Sequence, residues 1–275
     1  MIHQEPIIRP LGDCYLSVEF GDEVNLESSF RGIALKEALD ALDIPGVVEI
    51  YVTLPTVAVV LDRLRTSYGE LERIVRDVLS EMTVPASLPS RKVEMPIWYN
   101  DPWSAALGGR DTGESDFEFV ARTNGLTPDE LLDVHSSTDY WVVLVGFVPG
   151  VNLHYPLNPR TILTAPKLPT PRTTSPSRAA CLAGRGTGQY SMPSPGGYQL
   201  IGRLAVDIYQ PDRRCSAFME NGVLLRPGDR ISYRPVDAFE YEEIWEGVQR
   251  GTYEYVIADE VFDVASHLAQ TPGPT

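Results

Sequence analysis

The chain has 275 residues, 43% of them hydrophobic, with 38 acidic against 23 basic side chains, a net charge of −15 and a pI near 4.7. Its length suits one large domain or two small ones, at roughly 100–200 residues per domain. A surface this acidic repels phosphate backbones and anionic bilayers, which argues against nucleic acid and membrane as partners.

The N-terminus, Met1-Ile-His-Gln-Glu-Pro6, has neither the basic start nor the apolar stretch of a secretion signal. No run of about 18 apolar residues follows, so a cytoplasmic protein is expected. Cys14 to Phe20 reads as a strand. Asn25 caps a helix to about Ala41, with Phe30, Ile33, Ala34, Ala38 and Leu42 near one face. Pro45-Gly46 is a turn, and Val47–Thr53 and Val57–Leu61 are β-branched strands. Ser67 with Glu70 forms a capping box for a helix from Tyr68 to about Met82. Val84–Ser90 reads as a linker, and Lys92–Trp98 as a strand that fits either side of it. Strand, helix, strand, strand, helix, strand is the split βαβ, ferredoxin-like pattern.

Two more helices follow. Ser115 with Glu118 opens one that ends near Asn124-Gly125, and Thr127, Pro128 and Glu130 occupy N-cap, N1 and N3 of the next, which runs to about His135. Tyr140–Phe147 is an apolar strand. Short β runs then alternate with Gly and Pro: Ala179–Ala183, Tyr198–Leu204, Ala205–Tyr209 and Arg230–Tyr233, the last after a tight turn at Arg226-Pro-Gly-Asp. That spacing suggests a barrel or sandwich. A helix from Glu240 to Gly251 and a frayed Pro272-Gly-Pro-Thr275 close the chain. The expectation is an α+β protein: a small α/β domain over 1–90, a β-barrel domain over 91–236 and a C-terminal extension over 237–275.

Conventional catalytic kits are missing from the sequence. There is no P-loop, no Gly-x-Ser-x-Gly elbow, and no Met-Lys-Met to carry biotin. His3, His135, His154 and His267 lack metal-ligand spacing, and Cys14, Cys181 and Cys215 form no Cys-x-x-Cys pair, so no metal and no disulfide are expected. The chain therefore reads as a subunit, a binding module, or a site built from backbone and arginine.

The informative stretch is Gly146 to Arg203, where Gly146-Phe-Val-Pro-Gly150 precedes three further Gly/Pro-rich loops. Glycines let a backbone approach a ligand, and successive N–H groups can form an anion-binding nest. Arg172 and Arg203 offer planar forks for carboxylate or carboxyphosphate, and Tyr190 and Gln199 can hydrogen-bond an amide. The alternative is that these loops merely close a small barrel. His135 suits a helix C-terminus, where positive charge is favoured. His154 and Lys167, one of three lysines, are candidates for a substrate contact.

Thr170-Pro-Arg-Thr173, Gly186-Thr-Gly-Gln-Tyr190 and Ser194-Pro-Gly-Gly-Tyr-Gln-Leu-Ile-Gly-Arg203 resemble the motifs of the carboxyltransferase C/D-subdomain family. It includes the B component of 5-oxoprolinase, allophanate hydrolase subunit 1, part of urea carboxylase and a sporulation kinase inhibitor. Arg9-Pro-Leu-Gly-Asp13, Val18-Glu-Phe-Gly21, Leu126–Ser136 and Arg226–Arg230 extend the resemblance over roughly residues 7 to 235. The resemblance implies a small ferredoxin-like domain and a cyclophilin-like β-barrel. It implies a larger partner, similar to allophanate hydrolase subunit 2 or the C component of 5-oxoprolinase, that shares the site. It implies ATP-dependent hydrolysis of a small lactam, amide or urea derivative, with ATP shared with the partner. The alternatives are the carboxyltransferase component of a biotin-dependent urea-type carboxylase, with biotin carried elsewhere, and a non-catalytic histidine-kinase inhibitor. The implied catalytic residues are Arg172 and Arg203. Substrate-binding positions are Gly146, Phe147, His154, Lys167, Thr187, Gly188, Tyr190, Pro195, Gly196, Gly197 and Gln199. This sequence departs from the family at Val151-Asn-Leu-His-Tyr-Pro156, in the longer segment from Trp98 to Glu114, and past Val236.

Overall fold

The computed structural model describes residues 1–108 and 113–270. The chain divides into two compact units, Met1–Ser90 with the chain from Glu260 onward, and Arg91–Asp259. In the first unit, β1 (Ile2–Leu11), β2 (Tyr15–Gly21), α1 (Leu26–Ala41), β3 (Val47–Val52), β4 (Thr56–Leu61) and α2 (Tyr68–Glu81) follow in order. The strands form an antiparallel sheet, β1-β2-β4-β3. Period-2 alternation buries Leu16, Val18 and Phe20 of β2 and Val57, Val59 and Leu61 of β4. The helices add Phe30, Leu35, Leu39, Leu71 and Val75, each worth about 1.5–3 kcal/mol when fully buried. Both helices start at the expected caps: Asn25 accepts from the Glu27 N–H, and Ser67 from the Glu70 N–H, which is one half of the capping box expected there.

The rest of the chain comprises β5 (Ser87–Tyr99), α3 (Pro102–Ala106), α4 (Asp116–Thr123), α5 (Pro128–Ser136), β6 (Asp139–Val145), β7 (Asn152–Pro156), β8 (Arg172–Ser175), β9 (Ala179–Ala183), β10 (Gly186–Gln189), β11 (Ser194–Gly196), β12 (Gln199–Leu204), β13 (Arg230–Pro235), α6 (Ala238–Arg250), β14 (Ile257–Asp263) and α7 (Val264–Gln270). A mixed sheet runs β12-β9-β10-β7-β6-β13-β5-β14, and β12 also pairs with β5. The first seven of these strands thus close into a barrel, and β8 and β11 form a separate ribbon. Met95, Ile97, Val142, Leu182, Ile201 and Ile231 fill its core. Complete capping boxes start α4 and α5, and Gly251, in the left-handed region at φ 71°, ends α6.

The coarse expectation, α+β with a barrel and a separate small sheet, is what the chain forms. Several details differ. The strand after α2 does not complete the small sheet; it starts at Ser87, inside the expected linker, and pairs with β12 and β13. The edge position beside β2 is taken by β1, which the sequence reading missed. Ala205–Tyr209 is largely buried but irregular: the Ala205 N–H donates to Pro96 O (2.9 Å), Ile208 O accepts from the Leu224 N–H (3.1 Å), and Tyr209 forms an isolated bridge with Val223. β14 and α7 were also unforeseen. The final Pro272-Gly-Pro-Thr275 and residues 109–112 of the Trp98–Glu114 segment lie outside the described residues. Among the described residues, no helix is long and apolar enough to cross a membrane.

Candidate functional site

The barrel strands and the loops after β6, before β8 and around β11 surround a cavity of about 530 Å³, within the range of small-molecule sites. The loop after β6 is pinned by the Gly146 N–H donating to Val151 O (2.8 Å) and the Val151 N–H to Val148 O (3.2 Å). It leaves Phe147 at the cavity's edge, 72% exposed and at φ 74°. A bulky residue in the left-handed region is strained, at about 1–3 kcal/mol. Across the opening, the Leu168 N–H donates to Gly197 O (2.7 Å), which fastens the segment carrying Lys167 to the Gly196-Gly197 turn. The Lys167 ammonium sits 5.2 Å from the centre of the Tyr198 ring.

Tyr190 forms part of the wall and packs directly on the backbone of Gly196. A Cβ at Gly196 would fall 1.8 Å from the Tyr190 hydroxyl, so only glycine fits there. At Gly197 the nearest neighbour of a Cβ would be Leu168 O at 3.6 Å, an ordinary contact. Burial raises the Tyr190 phenol to about 12. Burial likewise pushes up the Cys181 thiol, which borders the same space, so neither group is an anion near neutral pH. Among the described residues that line it, Lys167 is the one with a charged side chain.

Of the sequence-derived positions, Gly146, Phe147, Lys167, Gly188, Tyr190, Pro195, Gly196 and Gly197 border this cavity. Thr187 and Gln199 are buried. Thr187 lies opposite His154 across β10 and β7. The Gln199 amide donates to Pro166 O (2.7 Å) and so anchors the segment before Lys167. Arg172 is committed elsewhere: its guanidinium pairs with the fully buried Asp116 and donates to Tyr198 O (2.9 Å) and Leu107 O (3.2 Å). Asp116 in turn accepts from the Leu200 N–H (2.7 Å), so this pair ties α4 to the ribbon and to β12. Arg203 lies over the Trp103 ring, 5.0 Å from its centre, with its Nε buried and unpartnered among the described residues. The structure therefore does not bring the two arginine forks together at the cavity.

His154 is fully buried behind the wall in a polar network. Its Nδ1 is 2.8 Å from Asn152 Oδ1 and its Nε2 2.8 Å from Tyr233 Oη. Asn152 Nδ2 donates to Gln189 Oε1 (3.0 Å), and Gln189 Nε2 donates to Tyr233 Oη (2.9 Å). Burial, reinforced by nearby His135, holds the His154 imidazole well below its ordinary range, hence neutral. Asn152 and Gln189 border the cavity and were not singled out from sequence. The available signal was polar residues at i and i+2, Asn152 with His154, in an otherwise apolar strand. Buried polar groups in that pattern require partners.

A family model described as "Carboxyltransferase domain, subdomain C and D" matches residues 6–219. The chain is 27% identical over 244 residues to the B component of 5-oxoprolinase from Bacillus subtilis, covering 85% of this chain and 94% of that protein. It is 28% identical over 276 residues to the urea amidolyase of Saccharomyces cerevisiae, covering 95% of this chain but 15% of that larger protein. The crystal structure of the K. lactis urea amidolyase superposes with a TM-score of 0.83 at 23% identity, over 96% of this chain and 17% of that one, a likeness of fold.

Proposed function

The chain belongs to the family of carboxyltransferase domains, subdomain C and D, and on that premise we propose that it is a subunit of a heteromeric, ATP-dependent amidohydrolase for a small lactam, amide or urea derivative. The observation that carries this reading is the pair of side-chain amides, Asn152 and Gln189, bordering an otherwise largely apolar cavity. Such a wall suits a neutral planar amide, whose N–H and C=O it can match, better than an anion. The 5-oxoprolinase relative, matched over nearly its full length, supports the same substrate class. In this reading the barrel is cyclophilin-like, the domain limits fall near residues 90 and 236, and the complex is cytoplasmic and cleaves non-peptide C–N bonds.

The cavity does not suit a nucleoside triphosphate. Among the described residues Lys167 is its single positive side chain, and Arg172 and Arg203 are engaged elsewhere. We therefore assign ATP to a larger partner, similar to the C component of 5-oxoprolinase or to allophanate hydrolase subunit 2. The test is to purify the tagged chain from its native lysate, identify its companions by mass spectrometry and reassemble the complex. ATP turnover stimulated by a small lactam, amide or urea supports the reading. A reassembled complex whose ATP turnover ignores all three refutes it.

A second reading has an observation in its favour. The urea amidolyase match covers 95% of this chain against 85% for the 5-oxoprolinase component. On this reading the chain is the carboxyltransferase component of a urea-type carboxylase, with biotin on another chain. A biotinylated companion, and product formation that stops when avidin is added, would favour it over hydrolysis.

A further inference from the structure

Asn152, Gln189, Tyr233 and His154 close a ring of four hydrogen bonds, contributed by β7, β10 and β13. The chemistry of the donors fixes its direction. Asn152 Oδ1 can only accept, so His154 Nδ1 carries the hydrogen. In a neutral imidazole Nε2 is then the acceptor, and the Tyr233 hydroxyl must give it its single hydrogen. Tyr233 Oη accepts from Gln189 Nε2, and Gln189 Oε1 accepts from Asn152 Nδ2. Every donor meets an acceptor in one sense of rotation, and the opposite sense would require both amides to flip together. Burial keeps the Tyr233 phenol well above its ordinary range, so it is not lost as a donor near neutrality.

What remains unused is one N–H of Gln189 and lone pairs on both amide oxygens, and these two residues border the cavity. We propose that His154 and Tyr233 are positioning residues that fix which amide ends Asn152 and Gln189 present, so that the cavity selects a ligand offering both an N–H and a C=O over its isosteric ester. This rests on the amide-substrate reading above and extends it to the residues that enforce the choice. An ester leaves an acceptor in the wall unpaired, and unpaired buried polar groups are the strongest source of discrimination in such sites.

The test uses the full-length chain with two probes of equal shape, 2-pyrrolidinone and γ-butyrolactone. Nitrogen-15 NMR of the imidazoles should show His154 protonated on Nδ1 and bare on Nε2. The wild type should bind the lactam about tenfold or more tighter than the lactone. Tyr233→Phe should bring that ratio close to one while changing lactone affinity less than about twofold, whereas general damage to the fold would weaken both probes together. If Tyr233→Phe does not fold, Gln189→Met, which removes a wall amide itself, should weaken both probes but the lactam more, so that the ratio still falls towards one, and the wild-type tautomer still stands as a measurement. A His154 protonated on Nε2, a ratio unchanged in the folded variant, or a wild type that binds neither probe would overturn the proposal. ATP turnover in the reassembled complex is a separate readout. Its absence removes the amidohydrolase reading, and its presence with an unchanged ratio removes this inference alone.

Discussion

Replacing Gly196 with alanine puts the close approach at the cavity wall to a quantitative test. Gly196 faces Arg172 across the β8–β11 ribbon, and its open side is covered by Tyr190. An added Cβ would lie 1.8 Å from the Tyr190 hydroxyl, 2.6 Å from Cζ and 3.0 Å from Cε1. Tyr190 is 6% exposed, so its ring cannot simply swing into solvent. Overpacking of this kind costs about 1–3 kcal/mol. At roughly 2–4 °C per kcal/mol for a domain of 150–250 residues, Gly196→Ala should lower the Tm by about 2–12 °C. Gly197→Ala, with its nearest contact at 3.6 Å, is the matched control and should stay within about 0.5 kcal/mol of wild type. In a Tyr190→Ala background the alanine has room, so the Gly196→Ala cost should largely vanish, giving a coupling of about 1–3 kcal/mol. Urea denaturation followed by tryptophan fluorescence reads the wild type and all four variants. A Gly196→Ala protein as stable as wild type, or an undiminished cost in the Tyr190→Ala background, would refute the packing assigned to this wall.

Three further outcomes are expected. Arg172→Ala strands the fully buried Asp116 and should cost about 3–5 kcal/mol in urea denaturation; a loss below about 1 kcal/mol would mean the pair is not buried as described. His135 is lowered to about 3 by burial, against an ordinary value near 6.5. The unfolded chain therefore binds the extra proton first, and the stability held above pH 6.5 is lost as the pH falls towards 3, at about 1.4 kcal/mol per unit. His135→Phe should flatten the acid limb by about that slope between about pH 6 and 4, while burial alone, the larger cause, still holds His154 low; parallel stability curves would show that His135 is not buried neutral. Phe147→Gly relieves a left-handed backbone worth about 1–2 kcal/mol at an entropic cost of about 0.5–1 kcal/mol, so it should melt no lower than wild type.

The parts of the fold visible in the sequence are those encoded over a few residues. Asn25, Ser115 with Glu118, and Thr127-Pro128 with Glu130 cap helices where expected, because each cap is satisfied within its own first turn. β1 escaped notice because Pro6 and Pro10 interrupt it, which an edge strand tolerates and a propensity reading penalises. Ala205–Tyr209 shows the converse error: an apolar run signals burial, here nearly complete, without signalling a strand. In the site, the sequence marked the glycine loops that border the cavity but not what the arginines pack against. Arg172 meets Asp116 across 56 residues of sequence, a pairing no local pattern encodes. The polar ring is likewise assembled from three strands that are distant in the chain, and only its Asn152-x-His154 half left a mark in the alternation.

The missing nucleophile and the character of the cavity have a common physical basis. Catalysis by a general acid or base is most effective when the group's pKa lies near the working pH. Here the forces run the other way: burial carries Tyr190, Cys181 and Tyr233 upward and His154 downward, so each is locked in its neutral form. Neutral groups in a low-dielectric wall make poor proton carriers but dependable hydrogen-bond partners, since their donor and acceptor pattern does not change with pH. On the proposed reading, this chain supplies shape and amide recognition, and the strong charges needed to activate a carbonyl enter from the partner across the open side, where Lys167 and Phe147 stand. Binding of a neutral lactam to the isolated chain should accordingly be measurable without nucleotide and without the partner, whereas turnover should require both. Lactam binding that appears only with nucleotide present would place recognition in the partner and reverse that division.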